Sequence, residues 1–136
     1  LLTPGRRILV VTGSGQAGLW EDVAGRLGDI RSVQAFRRNI VKFSATSGEA
    51  KRLWQDDPTI DAWLIWNVWQ IANPELADIV KIENRYRIYR DVGVALSRRG
   101  QANPKAQAFV QFLGSPQGAA IFAKWGWVTS TRGMKH

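Results

Sequence analysis

The twenty residues RILVVTGSGQAGLWEDVAGR, positions 7 to 26, restrict the fold more than any other part of the chain. Ile8 to Thr12 is an almost wholly apolar run without polar alternation, the pattern of a strand covered on both faces. The loop Gly13-Ser14-Gly15-Gln16-Ala17-Gly18 follows and spells G-x-G-x-x-G. Beyond it Leu19, Val23 and Leu27 recur at helical spacing, Trp20 and Ala24 widen the stripe, and Gly28 closes it. A buried strand that runs through a glycine loop into an amphipathic helix predicts an α/β fold with a mainly parallel sheet.

The rest of the chain continues the alternation. A second helical stretch is expected around Ser32 to Arg38, with Val33 and Phe36 inward and Arg37 and Arg38 outward, followed by a short apolar segment from Ile40 to Phe43. Thr46 and Glu49 stand three apart as in a capping box, which predicts a helix running to about Trp54 and stopped before Pro58. Ile60 to Trp66 reads as another buried strand. Asn73-Pro74, Asn103-Pro104 and Ser115-Pro116 each set a capping residue ahead of proline at the first position of an expected helix. Ile79 to Ile82 and Tyr86 to Leu96 read as extended, and Pro104 to Leu113 and Pro116 to Trp125 as helices closed by Gly114 and Gly126. Thr129 to His136 is expected to be a frayed tail.

A chain of 136 residues is long enough to bury one proper core. Nineteen Lys and Arg against eleven Asp and Glu leave a formal charge of +8, which favours anionic partners. Without cysteine there is no disulfide, thiolate metal site or Cys nucleophile, and with His136 as the single histidine no Ser-His-Asp triad or imidazole cluster is available. Glu21-Asp22 and Asp56-Asp57 are sequence neighbours, which do not share a helix face. The chain is therefore expected not to be an enzyme and to need no cofactor or metal. Its apolar stretches, such as Ala62 to Trp66, fall far short of the roughly 20 residues of a membrane span. The opening Leu1-Leu2-Thr3-Pro4 carries no secretory signal pattern and reads like the middle of a longer protein.

The glycine loop lacks the Lys-Ser/Thr of a phosphate-binding P-loop. The acidic residue that a dinucleotide site needs about 20 residues on would fall in the stretch Ser32 to Arg38 that reads as helix, and Asp29 comes too early. Two readings stay open: a cradle of backbone amides for a small anion, with Ser14 and Gln16 as further donors, or a structural turn whose glycines only permit positive φ. In a parallel sheet ligands bind beyond the carboxyl ends of the strands. Three loops are expected at that rim: Gly13 to Gly18, Ser44 to Ser47, and Trp66 to Trp69. Trp66 and Trp69 are candidates for an aromatic ligand wall, whereas Trp20, Trp54 and Trp63 are expected to pack and Trp125 and Trp127 to anchor the last helix.

Asp61-Ala62-Trp63-Leu64-Ile65-Trp66, Tyr89-Arg90-Asp91-Val92-Gly93-Val94-Ala95-Leu96, the run Phe109 to Gly118 with its F-L-x-S-P-x-G pattern, and Ile121-Phe122-Ala123-Lys124-Trp125-Gly126-Trp127 together resemble the back part of type II periplasmic solute-binding proteins, which include molybdate-binding proteins. VVTGSGQAGLWEDVAGR and IDAWLIWNVWQIANPELAD are similar to the accessory colonisation factor C branch. The resemblance spans essentially the whole chain. It implies a three-layer α/β lobe whose N-terminal companion lobe is missing: residues 1–90 as the second lobe, 91–128 as hinge return strand and C-terminal helices, and 129–136 as tail. It also implies ligand contacts from Ser14, Gly15, Gln16 and Ala17, from Ala45, Thr46 and Ser47, and from Trp66, which stands where many molybdate binders have Tyr.

The function so implied is periplasmic capture of an anionic solute, an oxyanion or a sulfated or phosphorylated small molecule, for an ABC transporter or a chemoreceptor. The first alternative is recognition of acidic, sulfated glycans through Arg37, Arg38, Arg85, Arg87, Arg98 and Arg99. The second is a basic nucleic-acid-binding domain, although the aromatics do not interleave with the arginines and no nucleic acid is expected as partner. A lone lobe with uncovered apolar surface is also expected to self-associate.

Overall fold

The computed structural model describes residues 1–129, so the expected tail lies outside the described residues except for Thr129. The chain divides into two compact units, Leu1–Tyr89 and Arg90–His136.

The first unit is a three-layer α/β arrangement built on β1 (Ile8–Val11), α1 (Leu19–Leu27), α2 (Ile30–Asn39), β2 (Ile40–Ser44), α3 (Ser47–Asp56), β3 (Ala62–Leu64) and α4 (Asn67–Ala72). The sheet order is β2-β1-β3 with both pairings parallel, and β1 is the central strand. All four β1 side chains are buried, which is why that stretch is apolar without alternation. On one face Ile8 and Val10 pack with Ala24, Phe36 and Ile40, under α1 and α2. On the other, Leu9 and Val11 pack with Ala50 and Ile60, flanked by Leu53, Trp54 and Trp63, under α3. The edge strand β2 exposes Phe43, whose ring meets Trp20 edge-on at 6.1 Å and lies under the Arg37 guanidinium at 4.8 Å.

The helix starts obey the expected local chemistry. Asp29 caps α2 by accepting from the Ser32 amide, and Thr46 caps α3 by accepting from the Glu49 amide at 3.2 Å. Glu49 completes the capping box one residue further out, its Oε2 accepting from the Ala45 amide at 2.8 Å.

Several expectations change. No helix starts at Pro74: Asn73 instead ends the unforeseen α4, its Nδ2 donating to the Trp69 carbonyl at 2.8 Å, and Pro74 stands just past a helix end, where proline is equally at home. The strand expected over Ile60 to Trp66 shortens to Ala62–Leu64. Ile79 to Ile82 and Tyr86 to Leu96 pair with no strand among the described residues, and Asn84–Tyr86 forms a single 3₁₀ turn.

The second unit holds α5 (Arg98–Gln101), α6 (Pro104–Leu113) and α7 (Pro116–Lys124). Asn103 and Ser115 cap α6 and α7 ahead of their prolines, as the sequence predicts. Within this unit Phe109, Phe112 and Ile121 are exposed, and Trp127 sits edge-on to Phe122 at 6.0 Å.

Candidate functional site

Parallel pairing sends Val11, Ser44 and Leu64 to one end of the sheet, and the loops that leave that end meet there. The ladder extends past the strands, since the Thr12 amide donates to the Ser44 carbonyl at 2.9 Å and the Thr12 hydroxyl to the same oxygen at 3.1 Å. At the next position the Gly13 Cα faces the Ala45 carbonyl so closely that a Cβ there would stand 2.2 Å from the oxygen. Further along the loop, Gly18 turns the chain into α1 at φ +76°, a left-handed conformation open to glycine at little cost. Gly15 has neither constraint. The three glycines of the G-x-G-x-x-G string thus do different work.

Side chains complete the assembly. Gln16 is 2% exposed and its Nε2 donates to Ser47 Oγ at 2.7 Å, tying the glycine loop to the first turn of α3. The Trp66 indole Nε1 donates to the Gly15 carbonyl at 2.9 Å, tying the same loop to the end of β3. All three predicted loops are therefore joined to one another, with the glycine loop in the middle.

The expected site residues divide by what they have left to offer. The Ser47 and Gly48 amides, first in α3, have no carbonyl one turn back within the helix. Ser47 Oγ accepts from Gln16, so its hydroxyl hydrogen is aimed elsewhere. Thr46 is exposed, and its oxygen accepts from Glu49 while its hydrogen stays available. Ala45 offers neither backbone group, because Glu49 holds its amide and Gly13 covers its carbonyl. Gly15 and Ala17 lie exposed on the loop, and Ser14 belongs to its 3₁₀ turn. Trp66 presents a half-buried ring whose only donor is already used on Gly15. Trp69 is placed apart from this group: its ring lies 6.3 Å from Trp63, which in turn lies 6.2 Å from Trp54, so it extends an aromatic stack on the α3 side of the sheet.

Residues 12–18, 45–47 and 65–69 contain no Lys, Arg, Asp or Glu. What the rim offers is therefore oriented amides and hydroxyls, and the first turns of α1 and α3 already carry Glu21, Asp22 and Glu49 toward their dipoles. Among the described residues no group of three His, Cys, Asp or Glu side chains could hold a metal ion, and no helix is long and apolar enough to cross a membrane. Glu49, read from the sequence as a capping-box residue, also withdraws Ala45 from the donor set.

This architecture is shared with proteins of known structure. A comparison with curated protein sequences finds no match. The crystal structure of L-phospholactate-bound Peb3 is 34% identical, with a TM-score of 0.78 over 93% of this chain and 55% of that one. A second structure, Peb3 from Campylobacter jejuni, is 33% identical, with a TM-score of 0.74 over the same shares. The chain thus spans 55% of the length of these relatives. A family model described as bacterial extracellular solute-binding protein matches residues 1–128, and the chain belongs to that family.

Proposed function

We propose that this chain forms one wall of a cleft in which an extracytoplasmic protein grips a small anionic solute, with a phosphorylated carboxylate as the ligand class, and that the loaded protein serves an ABC transporter or a chemoreceptor. The observation that carries the proposal is the joined rim: the Gln16–Ser47 and Trp66–Gly15 hydrogen bonds lock three loops around the open N-terminus of α3. Ser14, Gly15, Gln16, Ala17, Thr46, Ser47 and Trp66 are the residues assigned to it, and Ala45 contributes as a spacer. A phosphate or carboxylate has acceptors for every amide and hydroxyl the rim presents. L-Phospholactate, bound by Peb3, combines both groups.

The same reading gives residues 1–90 to the second lobe and 91–128 to the hinge and C-terminal helices, with the opposite wall supplied by an N-terminal lobe. Exposed Phe109, Phe112 and Ile121 support it, because apolar helix faces of this kind call for a partner surface. In this reading the chain sits beside the accessory colonisation factor C branch, in the periplasm.

Isothermal titration and thermal shift test the proposal on this chain and on the chain preceded by an N-terminal lobe, with L-phospholactate, phosphate, sulfate and molybdate as probes. A ligand at 100 times its Kd stabilises the native state by about 2.7 kcal/mol. The expected result is a phospholactate response that is far larger in the two-lobe protein. A response only to sulfated glycans, lost on charge reversal of Arg37 and Arg38, would replace solute capture with surface recognition.

A further inference from the structure

At the end of the sheet opposite the rim, where Arg6 and Arg7 lead into β1, the first unit has an open cavity of about 430 Å³. The length of β1, about 13 Å, separates it from the rim. One wall is the tight turn Thr3-Pro4-Gly5-Arg6, in which the Arg6 amide donates to the Thr3 carbonyl at 3.3 Å and Gly5 takes a left-handed φ of +82°. Asn39, 5% exposed at the end of α2, clasps this wall: its Nδ2 donates to the Leu1 and Thr3 carbonyls at 2.7 and 2.8 Å. Ala35, Arg38 and Val41, from α2 and β2, form the other side.

Arg6, Arg7 and Arg38 line this cavity, and no acidic residue does. The neighbouring carboxylates engage two of the three. Arg6 Nη1 meets Asp61 Oδ1 at 3.3 Å, and Arg7 Nε donates to Thr59 Oγ1 at 3.0 Å, whose hydroxyl donates to Asp57. A guanidinium has five N–H donors, so both keep others to give. Arg38 is exposed and has no ion pair or hydrogen bond among the described residues. Residues 30–48 hold Arg31, Arg37, Arg38 and Lys42 and no Asp or Glu, so the surroundings reinforce the positive potential rather than cancel it. Leu2, Pro4, Ala35 and Val41 give the same cavity an apolar side. Guanidinium forks match the oxygens of phosphate and carboxylate, and an apolar surface beside them accepts the carbon part of the same molecule. We propose that this cavity is a second binding site, separate from the rim, for a small organic anion: a phosphate or carboxylate head on a short apolar stem.

Phenyl phosphate, which joins both halves, and inorganic phosphate, which has only the head, are the probes, titrated into the isotope-labelled chain and followed by NMR. Saturable movement of the Gly5, Arg6, Arg38 and Asn39 amides is expected, with phenyl phosphate bound about tenfold more tightly than phosphate. Arg38→Gln is expected to weaken phenyl phosphate about tenfold. Arg31→Gln removes the same charge from the first turn of the same helix, outside the cavity, and should change the affinity less than about twofold. An Arg38 that only balances the dipole of α2 would lower the melting temperature of Arg38→Gln and leave its affinity for phenyl phosphate intact, which overturns the proposal. Equal weakening by the two substitutions reduces the cavity to part of a general positive field and overturns it as well. Two results in the unsubstituted chain, which need no variant to fold, do the same: movement confined to residues 12–18 and 45–48, or no saturation up to about 20 mM phenyl phosphate.

Discussion

Gly13→Ala is the substitution for which the structure gives the sharpest expectation. The added methyl would stand 2.2 Å from the Ala45 carbonyl oxygen and 3.3 Å from its carbon, well inside contact distance. Relief requires a backbone shift of about 1 Å, and both sides resist it. The Ala45 amide is held by Glu49 Oε2 at 2.8 Å, and the preceding Ser44 carbonyl by the Thr12 amide at 2.9 Å. Overpacking of this kind costs about 1–3 kcal/mol, and loosening one of the flanking hydrogen bonds adds about 1 kcal/mol. The expected loss is about 2–4 kcal/mol, which for a domain of this size lowers Tm by roughly 10 °C. Gly15→Ala is the control, because a Cβ there meets nothing within 4 Å and φ is not left-handed. It should leave Tm unchanged or raise it slightly by restricting the unfolded chain. Circular dichroism melts of the two variants beside the parent decide the matter. A Gly13→Ala protein melting within about 1 °C of the parent, or a Gly15→Ala protein falling as far, would refute the close-approach argument.

Trp66→Phe keeps an aromatic wall but removes the 2.9 Å donation to Gly15, so stability should fall by about 0.5–1.5 kcal/mol and ligand affinity with it, measured by denaturant titration and calorimetry. Hydrogen bonds from the Ser32 side chain and amide hold the Asp29 carboxyl below the usual range, and those from Thr59 do the same for Asp57. Both groups bind fewer protons when folded, so their contribution is present at neutral pH and is lost as pH falls below about 4; Asp29→Asn and Asp57→Asn should flatten the acid limb of a stability-versus-pH curve. With no Lys or Arg in the three loops and the Glu49 carboxylate on the Ala45 amide, the Kd for an anion at the rim should change only a few-fold between about 0.05 and 0.5 M salt, whereas binding through surface arginines would weaken much more steeply.

The parts of the fold that were legible in the sequence are those whose causes are local. The apolar run Ile8–Val11 reads as a two-sided strand because each of its residues is buried, and Thr46 with Glu49 reads as a helix start because the box closes within four residues. Asn73 failed for the opposite reason. Asn-Pro is compatible with the start of one helix or the end of another, and here Asn73 has one long-range partner, Lys51 Nζ donating to its Oδ1 at 2.7 Å, beside the local bond from its Nδ2 back to Trp69. A contact across 22 residues leaves no trace in a local pattern. The three-loop rim was legible as a convergence of loop positions. Its wiring was not, since the Gln16–Ser47 and Trp66–Gly15 bonds join residues 31 and 51 positions apart.

The charge of the chain and the chemistry of its rim also point to different jobs. A net +8 draws anions toward the protein as a whole, and such a field acts on encounter more than on fit. The rim has no cationic side chain of its own, the Glu49 carboxylate reaches it at the Ala45 amide, and its donors are held in fixed directions through hydrogen bonds to neighbouring loops. A site made of neutral dipoles discriminates by where acceptors and donors fall on the ligand, because every misplaced group leaves a polar atom unpaired. An anion held there would leave without separating an ion pair with a Lys or Arg of the three loops. Under the function proposed above, in which a solute is captured and then surrendered, fixed neutral donors would give selectivity without the retention that a buried arginine would impose.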